Sequence, residues 1–450
     1  MEKYETYKDS GVEGIWEIPA GWSTSRIKFL FSFGRGLNIT KADLTETGVP
    51  VISYGQIHSK QNTGTSISEH LLRYVPEKIA NEHVESKVKV GDFIFADTSE
   101  DKDGCGNCAY VDREGVFAGY HSLVLDGKGN NNKYFAYLFK SEDWRAQIRS
   151  KASGVKVFSI TQSIMSDCSV LIPSKEEQQA IASYLDHKVG QIDASISAID
   201  QQIEDLKAYR MSVISEAVTK GLNPNVPMKD SGIKWIGEIP EGWEIAKLGW
   251  VYPNMGSGTT PDTNNLLYYV DEGYNWLQTG DLTDGPIVRT SKHLSQIAVE
   301  DKRMRFYPIG SIVIAMYGAT IGKVGYLEIE TSTNQACCVL PPQINMDNKY
   351  MFYMLQASKT ILISKSVGGG QPNISQTIIQ EHRIPIPSKA EQISIASYLD
   401  DKTSKIDAAI TLLDLQREDL MSLKQSIISE AVTGKIDVRD WKSKNEQSRV

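Results

Sequence analysis

One short run of the sequence contains residues that could hold a phosphate group. Residues 318–323 (GATIGK) resemble the phosphate-binding loop of nucleotide hydrolases, in which a glycine-rich backbone and a lysine surround the phosphates. The spacing between the two glycines is one residue too short, and Val324 stands where a serine or threonine would hold magnesium. We therefore expect no nucleotide site. Contact of this run with a DNA phosphate is one hypothesis, and a plain hairpin turn is the other.

The cysteines offer a second kind of chemistry, metal binding. Cys105 and Cys108 have the spacing of half a zinc site, but no second pair follows at a workable spacing. His83 and His121 could complete the ligand set, yet two free thiols in a turn are the favoured interpretation. The 5 cysteines are an odd number without framework spacing, which is typical of a reducing compartment. Since the sequence also has no signal peptide and no long apolar run, we expect a cytoplasmic protein.

Catalytic motifs find no support in the sequence. Asn223-Pro224-Asn225 is the nearest approach to the Asn/Asp-Pro-Pro-Tyr element of an amino-methyltransferase. The 7 scattered histidines and many serines would satisfy any loose search for a nucleophilic triad. We expect no catalytic residue, no cofactor and no metal in this chain.

Polar loop residues could instead read the edges of DNA bases. Asn and Gln pair with adenine, Arg and Lys pair with guanine, and Ser and Thr adapt to either base. For each residue taken alone, a solvated loop or a turn-forming hydrogen bond is the alternative. The candidates in the first half are Tyr54, Gln56, Ser59, Lys60, Thr98, Lys156, Ser159, Thr161 and Gln162. Those in the second half are Gln278, Thr279, Asp281, Tyr317, Thr320, Lys323, Gln335, Gln371, Asn373, Ser375 and Gln376.

The segments that contain these loops have the pattern of mixed α+β structure. Their strand-like runs are punctuated by Gly, Asn and Asp turns, and both segments place their landmarks in the same order. An early strand ends in SYGQ at residues 53–56 and in QTGD at 278–281, and each late loop falls in register with the helix that follows. The runs are 49–54, 91–96, 121–125, 276–279, 311–316 and 336–340.

Two repeats enclose these segments. Residues 172–219 align without a gap on 386–433 and match at 29 of 48 positions, while residues 8–22 match 229–243 at 10 of 15. The segments between the repeats scarcely resemble each other. A duplicated frame with divergent inserts predicts one kind of task performed on two different targets.

The longer repeat predicts a helix with a coiled-coil seam. Its apolar positions follow a 4,3,4,3 spacing that begins at Ile192, and the second copy repeats this from Ile406. Ser174 with Glu177, and Ser388 with Glu391, fit a capping box at the start of each helix. Pairing between separate chains is the alternative. Because both copies lie in one chain, we favour intramolecular antiparallel pairing, which would relate the halves by a pseudo-twofold axis.

The net charge of −8 is unusual for a nucleic-acid binder, so its distribution matters. Residues 22–171 carry 18 basic and 17 acidic side chains, and residues 243–385 carry 11 and 12. The helical repeats 172–220 and 386–436 have 5 against 8 and 6 against 8. The inserts are therefore near neutral, and a partner would have to supply the cations that bind DNA phosphates tightly.

This arrangement resembles the DNA-specificity subunit of type I restriction-modification systems. The resemblance covers nearly the whole chain. It is carried by LIPSKEEQQAIASYLD and IPIPSKAEQISIASYLD before the two helices, by MYGATIGKVG at residues 316–325 and by Asn334-Gln335-Ala336. The first insert departs from the pattern, since residues 96–104 (ADTSEDKDG) replace the glycine-rich run.

The resemblance implies a non-catalytic protein that recognises a bipartite, asymmetric DNA site, with one recognition domain on each half-site. It implies two adenine methyltransferase subunits and motor-nuclease subunits as partners, and these would hold S-adenosylmethionine, ATP and magnesium. Two alternatives stay open. They are a specificity subunit of a methylation-only defence system and a scaffold that binds proteins rather than DNA.

The expected fold is α+β, with two globular α/β target recognition domains separated by two long helices that pack as an antiparallel coiled coil. We expect the recognition domains at residues 23–171 and 244–385, and the helical repeats at 172–220 and 386–436. The remaining parts are an N-terminal repeat segment at 1–22, a connector with the second repeat segment at 221–243, and a tail at 437–450.

Overall fold

The computed structural model describes residues 2–128, 132–154, 156–368 and 372–441. The chain divides into two units: the first unit contains residues 1–199 and 415–450, and the second contains residues 200–414. Each of the two long helices runs through both units, so each unit holds a part of both. No helix among the described residues is long and apolar enough to cross a membrane.

The first unit contains two main sheets beside its parts of the long helices. One sheet has the strand order β10-β5-β6, with β10 parallel to β5, and the other has the antiparallel order β4-β11-β7-β9. Its strands are β1 Tyr7–Val12, β2 Ile15–Pro19, β3 Ser23–Arg26, β4 Ser32–Arg35, β5 Val49–Ile52, β6 Arg73–Val75, β7 Phe93–Ala96, β8 Thr98–Ser99, β9 Cys108–Tyr110, β10 Phe117–Ala118, β11 Ser122–Asp126, β12 Phe158–Ser159 and β13 Ser169–Ile172. Its short helices are α1 Ile27–Leu30, α2 Tyr54–Ile57, α3 Glu77–Glu82, α4 Asn132–Lys140, α5 Glu142–Lys151 and α6 Gln162–Ser166.

The second unit follows the same plan with different sheets. A sheet of order β17-β25-β22-β23-β20 stands beside one of order β18-β21-β19-β24. The long helix α7 Lys175–Lys220 begins in the first unit and ends in this one. The strands of the second unit are β14 Met228–Asp230, β15 Glu238–Pro240, β16 Glu244–Lys247, β17 Gly256–Ser257, β18 Tyr269–Val270, β19 Tyr274–Leu277, β20 Pro286–Ile287, β21 Lys292–Leu294, β22 Ile312–Ala315, β23 Val324–Leu327, β24 Ser332–Thr333, β25 Cys337–Leu340 and β26 Arg383–Ile386. The helices are α8 Leu248–Val251, α9 Gln296–Lys302, α10 Asn348–Ala357, α11 Lys359–Ser364, α12 Gln376–Gln380 and α13 Lys389–Val432, which ends in the first unit.

An inner strand of the larger sheet in each unit forms for the same local reason. β7 and β22 are runs of four apolar residues, and every side chain in them is buried. Each follows a turn whose glycine has positive φ, +100° at Gly91 and +84° at Gly310, a conformation that only glycine adopts without strain. The six strand-like runs of the sequence all coincide with strands, with ends displaced by one or two residues.

The duplicated frame is visible inside each unit. β3 pairs with β13 in the first unit, and β16 pairs with β26 in the second. A buried tyrosine then joins the recognition part to the frame. The Tyr134 hydroxyl lies 3.2 Å from the carbonyl oxygens of both Leu171 and Val432. The Tyr350 hydroxyl lies 3.2 Å from the Val218 oxygen and 3.0 Å from the Pro385 oxygen.

The long helices pack against each other within each unit, in an antiparallel sense. In the first unit Asp193 of α7 pairs with Lys424 of α13, and in the second Arg210 of α7 pairs with Asp407 of α13. The predicted seam is confirmed, because Ile192, Ile199, Ile203 and Ile406 are buried.

The predicted caps of the long helices are confirmed at the second helix and half confirmed at the first. Ser388 and Glu391 form the full capping box. At the first helix the Ser174 hydroxyl accepts from the Glu177 N–H, but the Glu177 carboxylate accepts the Tyr4 hydroxyl at 2.6 Å instead of closing the box.

Candidate nucleic-acid interface

In the first unit the early loop begins where β5 ends. The Ser53 N–H donates to Oε1 of Gln56 at 3.2 Å, so the Gln56 side chain caps the one-turn helix α2. The Gly119 N–H donates to the Ile52 oxygen at 2.7 Å, which holds this loop against the one before β11. Tyr54 is half-buried and its hydroxyl donates to Glu100 at 3.3 Å. Burial, with the nearby Glu100 carboxylate, raises the pKa of Tyr54 and keeps it a hydrogen-bond donor.

His58 connects the early loop to the middle loop that follows β7. Its Nε2 lies 2.9 Å from the Thr98 carbonyl oxygen, which can only accept, so Nε2 carries the proton. Nδ1 then accepts from the Asn107 amide at 3.1 Å. The imidazole ring is thereby held between two loops, and it contacts the backbone of Thr98.

The late loop of the first unit reaches the same place. Ser159 of β12 pairs with Thr98 of β8, and the Ile160 N–H donates to the Asp97 oxygen at 2.7 Å. Thr161 caps α6 by accepting from the Ile164 N–H at 3.3 Å. The early, middle and late loops are therefore joined by direct hydrogen bonds, and Lys60, Lys156, Ser159, Thr161 and Gln162 are exposed beside them.

The second unit repeats the early loop with different side chains. The Gln278 N–H donates to Asp281 at 2.8 Å, and the Ser291 N–H donates to the other Asp281 oxygen at 3.2 Å. Asp281 thus has a turn-forming role equivalent to that of Gln56. The Asn334 N–H donates to the Leu277 oxygen at 3.0 Å, as Gly119 does to Ile52 in the first unit. Thr279 is half-buried and Gln335 is exposed at this junction.

The middle and late loops of the second unit also meet. Tyr317 forms a bridge with Asn373, and the Ile374 N–H donates to the Met316 oxygen at 2.7 Å. Ser375 caps α12 by accepting from the Ile378 N–H at 3.3 Å. The Gln376 amide donates to the Met255 oxygen at 3.4 Å. Gln371 lies outside the described residues.

The glycine-rich run of the second unit forms the turn between β22 and β23. The N–H groups of Ile321, Gly322 and Lys323 donate to oxygens of Gly318, Ala315 and Thr320 at 2.9 to 3.1 Å. These donors are therefore occupied within the turn. The side chains of Lys323 and Thr320, which are both half-buried, are candidates for a phosphate contact there.

The equivalent hydrogen bonds of the two units identify Tyr120 and His121 as further candidate interface residues, which the sequence patterns missed. Because Gly119 occupies the position of Asn334, Tyr120 and His121 correspond to Gln335 and Ala336. His121 has a positive φ of 51°, a side chain 61% exposed, and an Nδ1 atom 3.4 Å from Asp97. Loop sequence alone gave no signal for it, since the correspondence depends on strand pairing.

The cysteine pair is buried. Burial raises the pKa values of both thiols, that of Cys108 to about 12, so they stay protonated and are poor metal ligands. Over the described part of the chain no group of three or more His, Cys, Asp or Glu could hold a metal ion.

These features define a class of protein: a duplicated α/β binding protein whose halves each present three joined polar loops beside an antiparallel helix pair. The chain belongs to the type I restriction modification DNA specificity domain family, whose model matches residues 19–205 and 240–413. It is a DNA specificity subunit of a type I restriction-modification system, and thus a non-catalytic component of the complex.

Individual relatives match over most of their length. The chain is 26% identical, over 94% of its length and 96% of the relative's, to a Methanocaldococcus jannaschii protein assigned as the MjaX specificity subunit of a type I restriction enzyme. It is 22% identical to the StySPI specificity subunit of Salmonella potsdam, over 95% of this chain and 92% of that protein. A solved chain from work on assembly and conformational transition of the type I R-M system superposes with a TM-score of 0.69 at 18% identity, covering 94% of this chain and 100% of that one. At that identity the likeness supports the fold.

Proposed function

We propose that each unit reads one half of a bipartite DNA site through its three joined loops, within recognition domains at residues 23–171 and 244–385. The observation that carries this proposal is the recurrence of the same hydrogen bonds in both units. Ile160 donates to Asp97 as Ile374 donates to Met316, both at 2.7 Å. A polar face held by the same backbone contacts in two divergent domains supports a shared task.

The two half-sites differ in sequence. At equivalent places the first unit presents Thr98 and Ser159, and the second presents Tyr317 and Asn373. Small hydroxyls and an amide have different base preferences, since an amide pairs bidentately with adenine. The site read by this chain is therefore asymmetric.

Two copies of a methyltransferase subunit bind at equivalent surfaces of the units. Phe29 of α1 and Trp250 of α8 are 221 residues apart, as are the two short repeats, and are 70% and 73% exposed. Lys28 lies 5.7 Å from the Phe29 ring centroid, and Lys247 lies 5.5 Å from that of Trp250. Large exposed aromatic rings at matching positions are typical of interface anchors.

The long helices offer further apolar surface for these partners. Exposed large side chains lie along both, which leaves unpartnered area on a helix pair whose seam is already filled. These side chains are Tyr209, Met211, Ile393, Tyr398 and Leu412 in the second unit and Leu415, Met421 and Leu423 in the first.

The partners complete the activity. They hold S-adenosylmethionine, ATP and magnesium, and they supply the cations that the near-neutral recognition domains lack. Motor-nuclease subunits join the same assembly, and a complex of this kind works on DNA in the cytoplasm.

Sequencing the adenine methylation of cells with and without this gene tests the proposal. Loss of the gene should remove methylation at one bipartite motif. Replacing residues 244–385 with another recognition domain should change one half-site and leave the other intact. Unchanged methylation on deletion, or a change in both half-sites on replacement, would contradict it. Finding a motor-nuclease gene beside this gene would separate a restriction system from a methylation-only one.

A further inference from the structure

A cavity in the first unit borders the early loop. It has a volume of about 260 Å³, and its wall includes His58, Ser59, Lys60, Lys140 and Arg145. Among the described residues that line it there is no Asp or Glu. Of its three cations Lys140 and Arg145 are partly buried and Lys60 is exposed, and the recess itself lacks the carboxylate that partly buried cations require.

Lys140 is one of the partly buried cations in the wall of this cavity. The Lys140 ammonium has three N–H donors. Its hydrogen-bond acceptor among the described residues is the Thr63 carbonyl oxygen. Burial, with repulsion from Lys424, lowers the pKa of Lys140 to about 8, while Asp193 and Cys108 act in the opposite direction. The Asp193 carboxylate is itself paired with Lys424. No carboxylate among the described residues therefore forms an ion pair with Lys140.

Arg145 is similarly short of compensation. Its Nε donates to the Cys105 carbonyl oxygen at 3.3 Å, and another guanidinium nitrogen donates to the Asp103 carbonyl oxygen. Its carboxylate partner Glu142, at 3.5 Å, also pairs with Arg149. Burial accordingly lowers the pKa of Arg145 as well.

We propose that this cavity is a binding site for one phosphate-type oxyanion, held by Lys140 and Lys60 with Arg145 adding positive charge. Charge-assisted hydrogen bonds from the lysine ammonium groups to the anion would give the ammonium donors acceptors and would neutralise part of their charge. Two sources carry this group: free inorganic phosphate and a DNA phosphodiester. The second would lie beside the early loop, whose Ser59 and Lys60 line the cavity.

The second unit supplies a natural control for this site. Counting from the equivalent residues Tyr134 and Tyr350, the position of Lys140 is occupied by Gln356. The Gln356 amide donates to the Asp284 oxygen at 3.1 Å and accepts from Arg210 at 3.2 Å, so both its nitrogen and its oxygen have a partner. The oxyanion site therefore belongs to the first unit, and Lys140→Gln introduces the residue that the second unit has at this position.

Isothermal titration of the full chain in phosphate-free and sulfate-free buffer at pH 7 tests the site. The probes are inorganic phosphate and the dinucleotide dTpdT, which carries a single phosphodiester. We expect saturable binding of phosphate that Lys140→Gln weakens about tenfold or more and the exposed Lys60→Gln weakens severalfold. Lys41→Gln, an exposed lysine away from the cavity, should leave it within about twofold.

Binding of both probes would assign the site to the DNA backbone, and binding of phosphate alone would assign it to a free anion. No binding of either probe by the wild-type chain, or binding unchanged in Lys140→Gln and Lys60→Gln, overturns the proposal. Because no DNA site or partner is needed, this result and the methylation result can fail independently.

Discussion

His382 makes the second unit sensitive to acid. It is 0% exposed, and within the described chain neither ring nitrogen has a hydrogen-bond partner. The ring stacks on Trp235 with centroids 6.0 Å apart and planes inclined by 12°. Burial, and to a lesser extent Lys365, lowers the pKa of His382 to about 4 from its ordinary 6.5. The folded chain therefore holds this imidazole neutral at pH values where the unfolded chain protonates it.

The direction and the size of the change in folding stability with pH follow from proton linkage. Between pH 6.5 and 4 the unfolded state binds more protons than the folded state, so stability falls as pH falls through this window. Below about pH 4 both states are protonated and the loss is complete. A difference of about 2.5 in pKa corresponds to about 3 kcal/mol, a large part of the stability of an ordinary domain.

The chain itself supplies the matched replacement. Leu248 donates to the His382 oxygen at 2.9 Å, as Ile27 donates to the Cys168 oxygen at 2.9 Å in the first unit, so a buried cysteine occupies the same place there. His382→Cys and His382→Leu should both be at least as stable as wild type at pH 7.5, because a neutral imidazole leaves a buried N–H unpaired.

Urea unfolding from pH 4 to 8 measures the effect as the difference between each variant and wild type, which cancels the other titrating groups. The advantage of both variants should grow by about 3 kcal/mol on going from pH 7.5 to 4. Amide exchange of residues 383–386 would locate it in the second unit. A difference that stays constant with pH would refute the reasoning.

Three further outcomes follow from single contacts. Asp407→Ala should destabilise the chain by about 1 kcal/mol, because it leaves Arg210 without its carboxylate, and urea unfolding should show that adding Arg210→Met recovers part of the loss. Tyr350→Phe should cost about 1–3 kcal/mol by the same measurement, since its hydroxyl serves two buried carbonyl oxygens; an unchanged midpoint would contradict that role. Trp250→Ala should leave the unfolding midpoint unchanged but reduce the bound methyltransferase from two copies to one in native mass spectra, as should Phe29→Ala, and full occupancy in both variants would exclude these anchors.

The frame could be predicted from the sequence because its signals are local and repeated. The seam from Ile192 and the caps at Ser174 and Ser388 depend on residues a few positions apart, and duplication made the pattern stand out. The arrangement of the candidate interface depends on distant pairing. Nothing near His58 in the sequence indicates that it contacts Thr98 and Asn107. Those two residues are brought together by the antiparallel pairing of β7 with β9.

A hydrogen bond crosses the boundary between the insert and the repeated frame in each unit, and this restricts which recognition domains can be exchanged. The Tyr137 hydroxyl donates to Asp186 of α7 at 2.7 Å, and the Tyr353 hydroxyl donates to Asp400 of α13 at 2.9 Å. The aspartates lie 214 residues apart in the helical repeat, but the tyrosines lie inside the divergent segments. In each unit, therefore, the insert supplies the tyrosine of this hydrogen bond and the helical repeat supplies the aspartate.

A transplanted recognition domain should be more stable on this frame if it brings a tyrosine to that position. In a replacement of residues 244–385, removing the incoming tyrosine should lower stability by about 1–3 kcal/mol while the methylated half-site stays the same. Urea unfolding and methylation sequencing of the same pair of chimaeras measure both quantities. If the substitution changed the half-site without changing stability, the tyrosine would belong to base reading, and the division between frame and insert drawn here would be wrong.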